Sequence, residues 1–287
     1  MNERRIVMDG PDPREEPYID QHDPNPSEVL DDISARRDGT KGWYPTDVDE
    51  TETIWRYMSL GKFISLLQKE QLWFSHRSKF EDPYEGRYSQ SAAEKIQKER
   101  WDIEEPDDED TEYFVDDNAD DYVTCWNIKK SQSAALWKIY VEGSNGVAIK
   151  TTVGELKNSI DRSALSQLDI SIEFGRVKYH STGEEPIGHY APIFTKRDIF
   201  DFEKEYRVVL TDDESLEDID VDGIEVRPGI GVGVKIEPRT LINEVYIAPS
   251  AGGYLRDVVE NLRDDYGPDY SIEKSTVHPS LAKTRTA

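Results

Sequence analysis

The segment DIFDFEKEYRVVL, residues 198–210, sets Glu203 and Glu205 two positions apart at the mouth of an apolar run. Side chains two apart on a strand share a face, so both carboxylates can line one cleft. A fixed carboxylate stabilises a cationic, oxocarbenium-like transition state, and a second one serves as base, as in glycoside chemistry. Glu205 abuts the apolar strand and is the better held of the two. The competing reading is ion pairing with Lys204, Arg207 or Arg197 on a solvated edge.

Other residues offer binding chemistry. Arg56 is flanked by Trp55 and Tyr57, and on a strand it emerges on the face opposite to both. A guanidinium there grips a pyrophosphate bidentately, or else bridges to Asp82, Glu85 or Glu205. In FEDPYEG, Tyr84 can stack on a base or nicotinamide, while Asp82-Pro83 reads as a plain turn. Trp126 is a further flat platform, and Tyr57 stands beside Arg56. Cys125 is the only cysteine, which excludes an internal disulfide and a Cys-based zinc site. It has no recognisable base partner and reads as a buried, inert thiol. The five histidines show no ligand spacing, so no metal is expected. No Walker loop or Gly-x-Gly-x-x-Gly occurs, and GIGVG at 229–233 is not followed by a helix.

These residues need elements to position them. Ile54–Tyr57 reads as a strand. Ser59 caps a helix carrying Phe63, Ile64, Leu66 and Leu67, and QLWFS forms the next strand. A helix and an acidic loop follow in 89–120. Then come a strand at YVTCWNI, a Ser131- or Ser133-capped helix, a strand at NGVAIKTT and a helix near 152–162. One strand is expected at ISIEFGRVKYH. Three more fall at GIEVRP, IGVGVKI and NEVYIAPS, with an amphipathic helix and a last strand at YSIEKSTV. Without a βαβ rhythm, the class is α+β, with mostly antiparallel sheets.

Composition bounds the rest. The 287 residues carry 60 acids against 35 bases, a net charge of −25. The acids are dispersed, the pattern of a halophile, in which molar salt screens their repulsion. The charge therefore does not indicate nucleic acid, although a local site can still bind it. Residues 1–50 lack apolar periodicity and read as a disordered acidic tail, and 51–287 as a single domain. No segment has the apolar length of a membrane span, so a cytoplasmic protein without a membrane partner is expected.

Several motifs recur together: IWRYMSL, LLQKEQLWFSHRSKFEDPYEG, TCWN, SAALWKIYVEGSNGVAIK, FEKEYRVVL and INEVYIAPSA. As a set, over about residues 54–276, they resemble the family called domain of unknown function 2971. Glu81 departs from its usual Asn, and Asn127 from its usual Ser. More remotely, the order of elements resembles the ADP-ribosyltransferase fold. That resemblance implies NAD as substrate, an acceptor of unknown kind, Glu203 and Glu205 as catalytic carboxylates, and Arg56, Tyr57, Tyr84 and Trp126 around the dinucleotide. It leaves open a catalytically silent module that binds or senses a nucleotide or nucleic acid, in defence or stress.

Overall fold

The computed structural model describes residues 43–101, 120–141, 143–168, 170–212, 221–267 and 269–277. The first unit is β1 (Thr53–Ser59), α1 (Leu60–Lys69) and β2 (Gln71–His76). The Ser59 hydroxyl accepts from the Lys62 amide and starts α1; Glu70, at φ 51°, ends it. Phe63, Leu66 and Leu67 are the buried stripe of this helix. Next come α2 (Gln90–Trp101), β3 (Asp120–Ile128) and α3 (Ala134–Tyr140), the last capped by Ser133. β4 (Gly146–Thr152) runs into α4 (Val153–Ser159) through a capping box between Thr152 and Glu155.

The helix expected near 152–162 is two short pieces, α4 and α5 (Ser163–Gln167), because Ile160 leaves the helix to bridge Ile236. The strand expected at ISIEFGRVKYH is likewise two. β5 (Ser171–Arg176) ends where the Val177 amide turns to the Glu205 carbonyl, and β6 (Lys178–His180) pairs elsewhere. Then follow α6 (Ala191–Phe194), β7 (Thr195–Arg197), a 3-10 turn over Asp198–Glu203, β8 (Glu205–Asp212), β9 (Ile224–Arg227) and β10 (Gly231–Lys235). α7 (Pro238–Leu241), β11 (Glu244–Ile247), α8 (Tyr254–Tyr266) and β12 (Ser271–Lys274) complete the order.

The class is α+β, as expected. One sheet has ten strands in the order β12-β11-β4-β1-β3-β2-β10-β9, with β8 between β3 and β5; β6 and β7 pair separately. Every pair in the large sheet is antiparallel except β11 with β12. That pair is joined through α8, so one βαβ unit does exist. A parallel pair needs a long crossover, and the thirteen residues of α8 supply it.

β3 has three neighbours. β8 pairs with it along Asp120–Asn127. On its other edge β1 takes Asn127 and Ile128, while β2 takes Tyr122 and Val123. Thr124, Cys125 and Trp126 have no strand partner on that edge, and the sheet opens there. The main core packs against the face carrying Tyr206, Val208 and Leu210; Val209 belongs to a separate cluster with Val123, Ile193 and Phe194. Glu205 and Arg207 share the Val209 face by strand alternation.

The expected tail boundary at residue 50 lies too late. Residues 43–50 are docked: the Trp43 amide donates to the Ile187 carbonyl, and the Thr46 carbonyl accepts from the Arg176 amide. Asp47 accepts from the Tyr206 hydroxyl at 2.9 Å and pairs with Lys157. Residues 1–42 and the acidic stretch 102–119 lie outside the described residues. Apolar periodicity missed 43–50 because polar atoms hold much of the segment. Asp47→Ala leaves the buried Tyr206 hydroxyl without its acceptor. It is expected to lower unfolding free energy by about 1–2 kcal/mol, read from urea melts, and Asp49→Ala to do much less.

Candidate functional site

Glu203 and Glu205 do converge, by a route other than strand alternation. Glu203 ends the 3-10 turn, and Lys204 adopts a left-handed backbone at φ 48°. Glu205 then opens β8, and both carboxylates reach Lys196 of β7. Lys196 Nζ lies 2.9 Å from Glu203 Oε2, 2.7 Å from Glu205 Oε1 and 3.3 Å from Glu85 Oε2. Arg207 donates from Nε to Glu205 Oε2 at 2.8 Å, from Nη1 to the Ile193 carbonyl at 2.6 Å, and from Nη2 to Glu85. All five side chains are buried, Arg207 completely.

Three carboxylates thus face two cations in a region water does not reach, and that imbalance is resolved by a proton. Burial, and then the neighbouring Glu205 carboxylate, push Glu203 up to about 8. Burial also opposes ionisation of Glu205, but the Arg207 guanidinium and Lys196 ammonium outweigh it and hold Glu205 well below the carboxylate range. Lys196 is desolvated as well, yet Glu205 and Glu85 keep it charged beyond its ordinary value. Near neutrality Glu203 holds its proton, while Glu205 stays ionised between Lys196 and Arg207.

Beside this cluster, where the sheet opens at β3, lies a cleft of about 360 Å³. Its floor includes Arg56 and Met58 of β1, Gln71 and Trp73 of β2, and Cys125 of β3; α1 forms one wall. Its five ionic side chains are all cations: Arg56, Lys62, Lys69, Lys79 and Arg227. In a chain of net charge −25 that sign is opposite to the average surface. Glu225 reaches two of the five, Lys69 at 2.5 Å and Arg227 at 2.7 Å. Among the described residues no carboxylate pairs with Arg56, Lys62 or Lys79.

Arg56 is the deep cation. Its Nη2 donates to the Trp73 carbonyl at 3.3 Å, and its Cζ sits 5.6 Å from the Trp126 ring. Nη1 is buried and has no partner. Burial brings the guanidinium down to about 10. Gln71 Oε1, also in the cleft, is buried and unpartnered as well. An orphaned donor on a cation and an orphaned acceptor are the two polar groups this cleft leaves for a ligand.

The residues singled out in the sequence therefore divide. Arg56 and Tyr57 line the cleft; the Tyr57 hydroxyl accepts from the Ser133 amide, and burial raises it to about 12. Trp126 is fully buried behind Arg56. Tyr84 does not line the cleft: it is 71% exposed, with the Arg197 guanidinium 5.0 Å over its ring. The Asp82–Arg197 ion pair anchors the turn in that position. Glu203 and Glu205 are not cleft-lining either, since their cations draw them inward. Of the expected ion partners only Arg207 meets Glu205; Lys204 pairs with Asp201 and Arg197 with Asp82. Arg56 makes none of its expected bridges.

Phe80, Asn127 and Tyr140 line the cleft and also touch residues of the cluster. The Arg207 guanidinium stacks 5.0 Å from the Phe80 ring. Asn127 donates from Nδ2 to the Glu203 carbonyl at 3.0 Å. The Tyr140 hydroxyl is 3.5 Å from Glu203 Oε2. Cys125, expected to be buried, is partly exposed and lines the cleft; desolvation and the nearby Glu205 push its thiol far up. The sequence reading missed Lys196, Lys62 and Lys79, and it offered Glu85 to Arg56 where its partners are Lys196 and Arg207. The only signal of the three lysines was a basic residue on a predicted element, which this chain offers at many positions.

Among the described residues, no group of three or more His, Cys, Asp or Glu is arranged to hold a metal ion. No helix among them is long and apolar enough to cross a membrane.

No family model matches the chain. No curated protein matches it. Among solved structures it is similar to Thermus sp. 2.9 DarT in complex with NAD+, at 11% identity, covering 80% of this chain and 98% of that chain, with a TM-score of 0.29. A TM-score of that size carries no argument about the site.

Proposed function

We propose that this protein binds a phosphate-bearing nucleotide in the cleft at the β3 opening, and that the neighbouring charge cluster is scaffold. The observation that carries this is the buried, unpartnered Arg56 Nη1 in a cleft whose ionic lining is wholly cationic. An isolated buried cation is costly, and a phosphate oxygen on Nη1 relieves that cost with a charge-assisted hydrogen bond. Trp73 and Phe80 supply ring surface for a base. Gln71 Oε1 suits an amino or carboxamide donor. NAD, the ligand implied by the resemblance of the motifs, has both a pyrophosphate and such donors, and Arg56 is the residue that fits its phosphates.

The test is calorimetric titration of NAD+ and ADP at the lowest KCl concentration that keeps the far-ultraviolet circular dichroism native. Saturable binding is expected, weakened about tenfold or more by Arg56→Gln, the scale of one hydrogen bond to a charged group. Absence of binding by either nucleotide sinks the proposal.

A second reading, an NAD-consuming transferase, is favoured by one observation: Tyr140 links the cleft to Glu203. On that reading a carboxylate must be exposed to the ribose, and Glu205 has to leave Lys196 and Arg207. Nicotinamide release by the wild type, abolished in a folded Glu205→Gln variant, is its required result.

A further inference from the structure

The cleft carries more positive charge than a single pyrophosphate needs. Five cations line it, and Glu225, which bonds Lys69 and Arg227, is the one carboxylate that reaches them. The excess is therefore four. A dinucleotide with one pyrophosphate brings two negative charges, and the oxidised nicotinamide ring takes one back. Mismatch of this size leaves cations crowded in a concave site, where low-dielectric walls concentrate their field.

The positions of the cations divide the excess. Arg56 is deep, on the floor of β1, with its Nη1 buried. Lys62 on α1 and Lys79 after β2 are exposed at the rim, and no carboxylate among the described residues pairs with either. Within the cleft itself Lys69 has Glu225 as its acid, whereas Lys62 and Lys79 have none. The two come from different elements, and both line the one cleft.

We infer that the ligand is a phosphate-rich nucleotide with at least three phosphate charges, its inner phosphate on Arg56 and an additional terminal phosphate, anhydride-linked or on a ribose, at Lys62 and Lys79. This deepens the nucleotide-binding reading and rests on it. A nucleoside triphosphate or a dinucleotide with a ribose phosphate meets the description; a plain pyrophosphate dinucleotide leaves the rim lysines unused.

Affinities of AMP, ADP, ATP, NAD+ and NADP+ decide the matter, measured by calorimetry with a chelator present at the same low KCl. ATP is expected to bind at least about tenfold tighter than ADP, and NADP+ at least about tenfold tighter than NAD+. Lys62→Gln combined with Lys79→Gln is expected to erase both preferences, weakening ATP and NADP+ by about tenfold more than ADP and NAD+. The double variant should fold, because both side chains are exposed. Equal affinities within each pair overturn the inference while the nucleotide-binding reading stands. So does a preference that survives the double substitution. Failure of all five ligands to bind overturns both.

Discussion

Arg207→Gln is expected to cost the fold about 3–5 kcal/mol, the scale of removing one partner from a buried ion pair. The guanidinium is fully buried and satisfies Glu205, Glu85 and the Ile193 carbonyl at once. Its loss leaves two buried carboxylates with only Lys196 between them. Glu205→Gln is expected to be destabilising too, by a smaller margin, since the amide keeps part of the hydrogen bonding. The double variant should fall short of the sum by about 1–3 kcal/mol, because both substitutions break the same contacts. Arg56→Gln, which touches neither, should add independently to either. Urea melts of the single and double variants measure all of this. An Arg207→Gln protein as stable as wild type rules out the cluster as scaffold.

Raising the pH from 6 to 9 is expected to destabilise the protein through Glu203, by an amount on the order of 2–3 kcal/mol. Glu205, Lys196 and Tyr140 face this carboxyl directly, and Glu85, Arg207 and Tyr179 lie around it. Its folded value, about 8, stands above its ordinary 4.5. The folded protein therefore holds a proton that the unfolded chain has released. This contribution is complete below about 4.5 and is lost as pH rises through 8. Glu205 has the opposite sign: its folded value is depressed, so its contribution is lost in acid. The two share one proton, so the alkaline arm belongs to the pair. Glu203→Gln is neutral at every pH and should flatten that arm, matching wild type near pH 4.5 and exceeding it increasingly up to pH 9. Parallel stability curves for the two proteins mean that Glu203 is ionised at neutrality, and the proton count is wrong.

Much of this architecture was legible from residue types. The caps at Ser59 and Ser133 and the three late strands follow local propensity and turn chemistry. The α+β class followed from their mixture. What escaped was non-local. Glu205 and Arg207 announce a shared face by their spacing, but nothing in TKRD says that Lys196 sits between Glu203 and Glu205. That depends on the reversal at Lys204, a left-handed backbone on a residue with no special preference for it. The cleft is assembled from β1, α1, β2, β3 and β9, so its charge excess is invisible along a chain where acids outnumber bases. Tyr84 failed for a related reason. An aromatic in a turn advertises stacking, and here its partner is Arg197 of the same domain.

The position of β3 between three partners also governs how the chain assembles. β1 and β2 precede it in synthesis and bond only its two ends; β8, which bonds nearly its whole length, emerges from the ribosome much later. Until then one edge of β3 is bare and the other is bare in the middle, a stage at which a strand can recruit a neighbouring chain. Because its stabilising contacts are distant in sequence, completion of the sheet is slow relative to local helix formation. The two aspartates that open β3, and a net charge that repels other nascent copies, protect it during that wait.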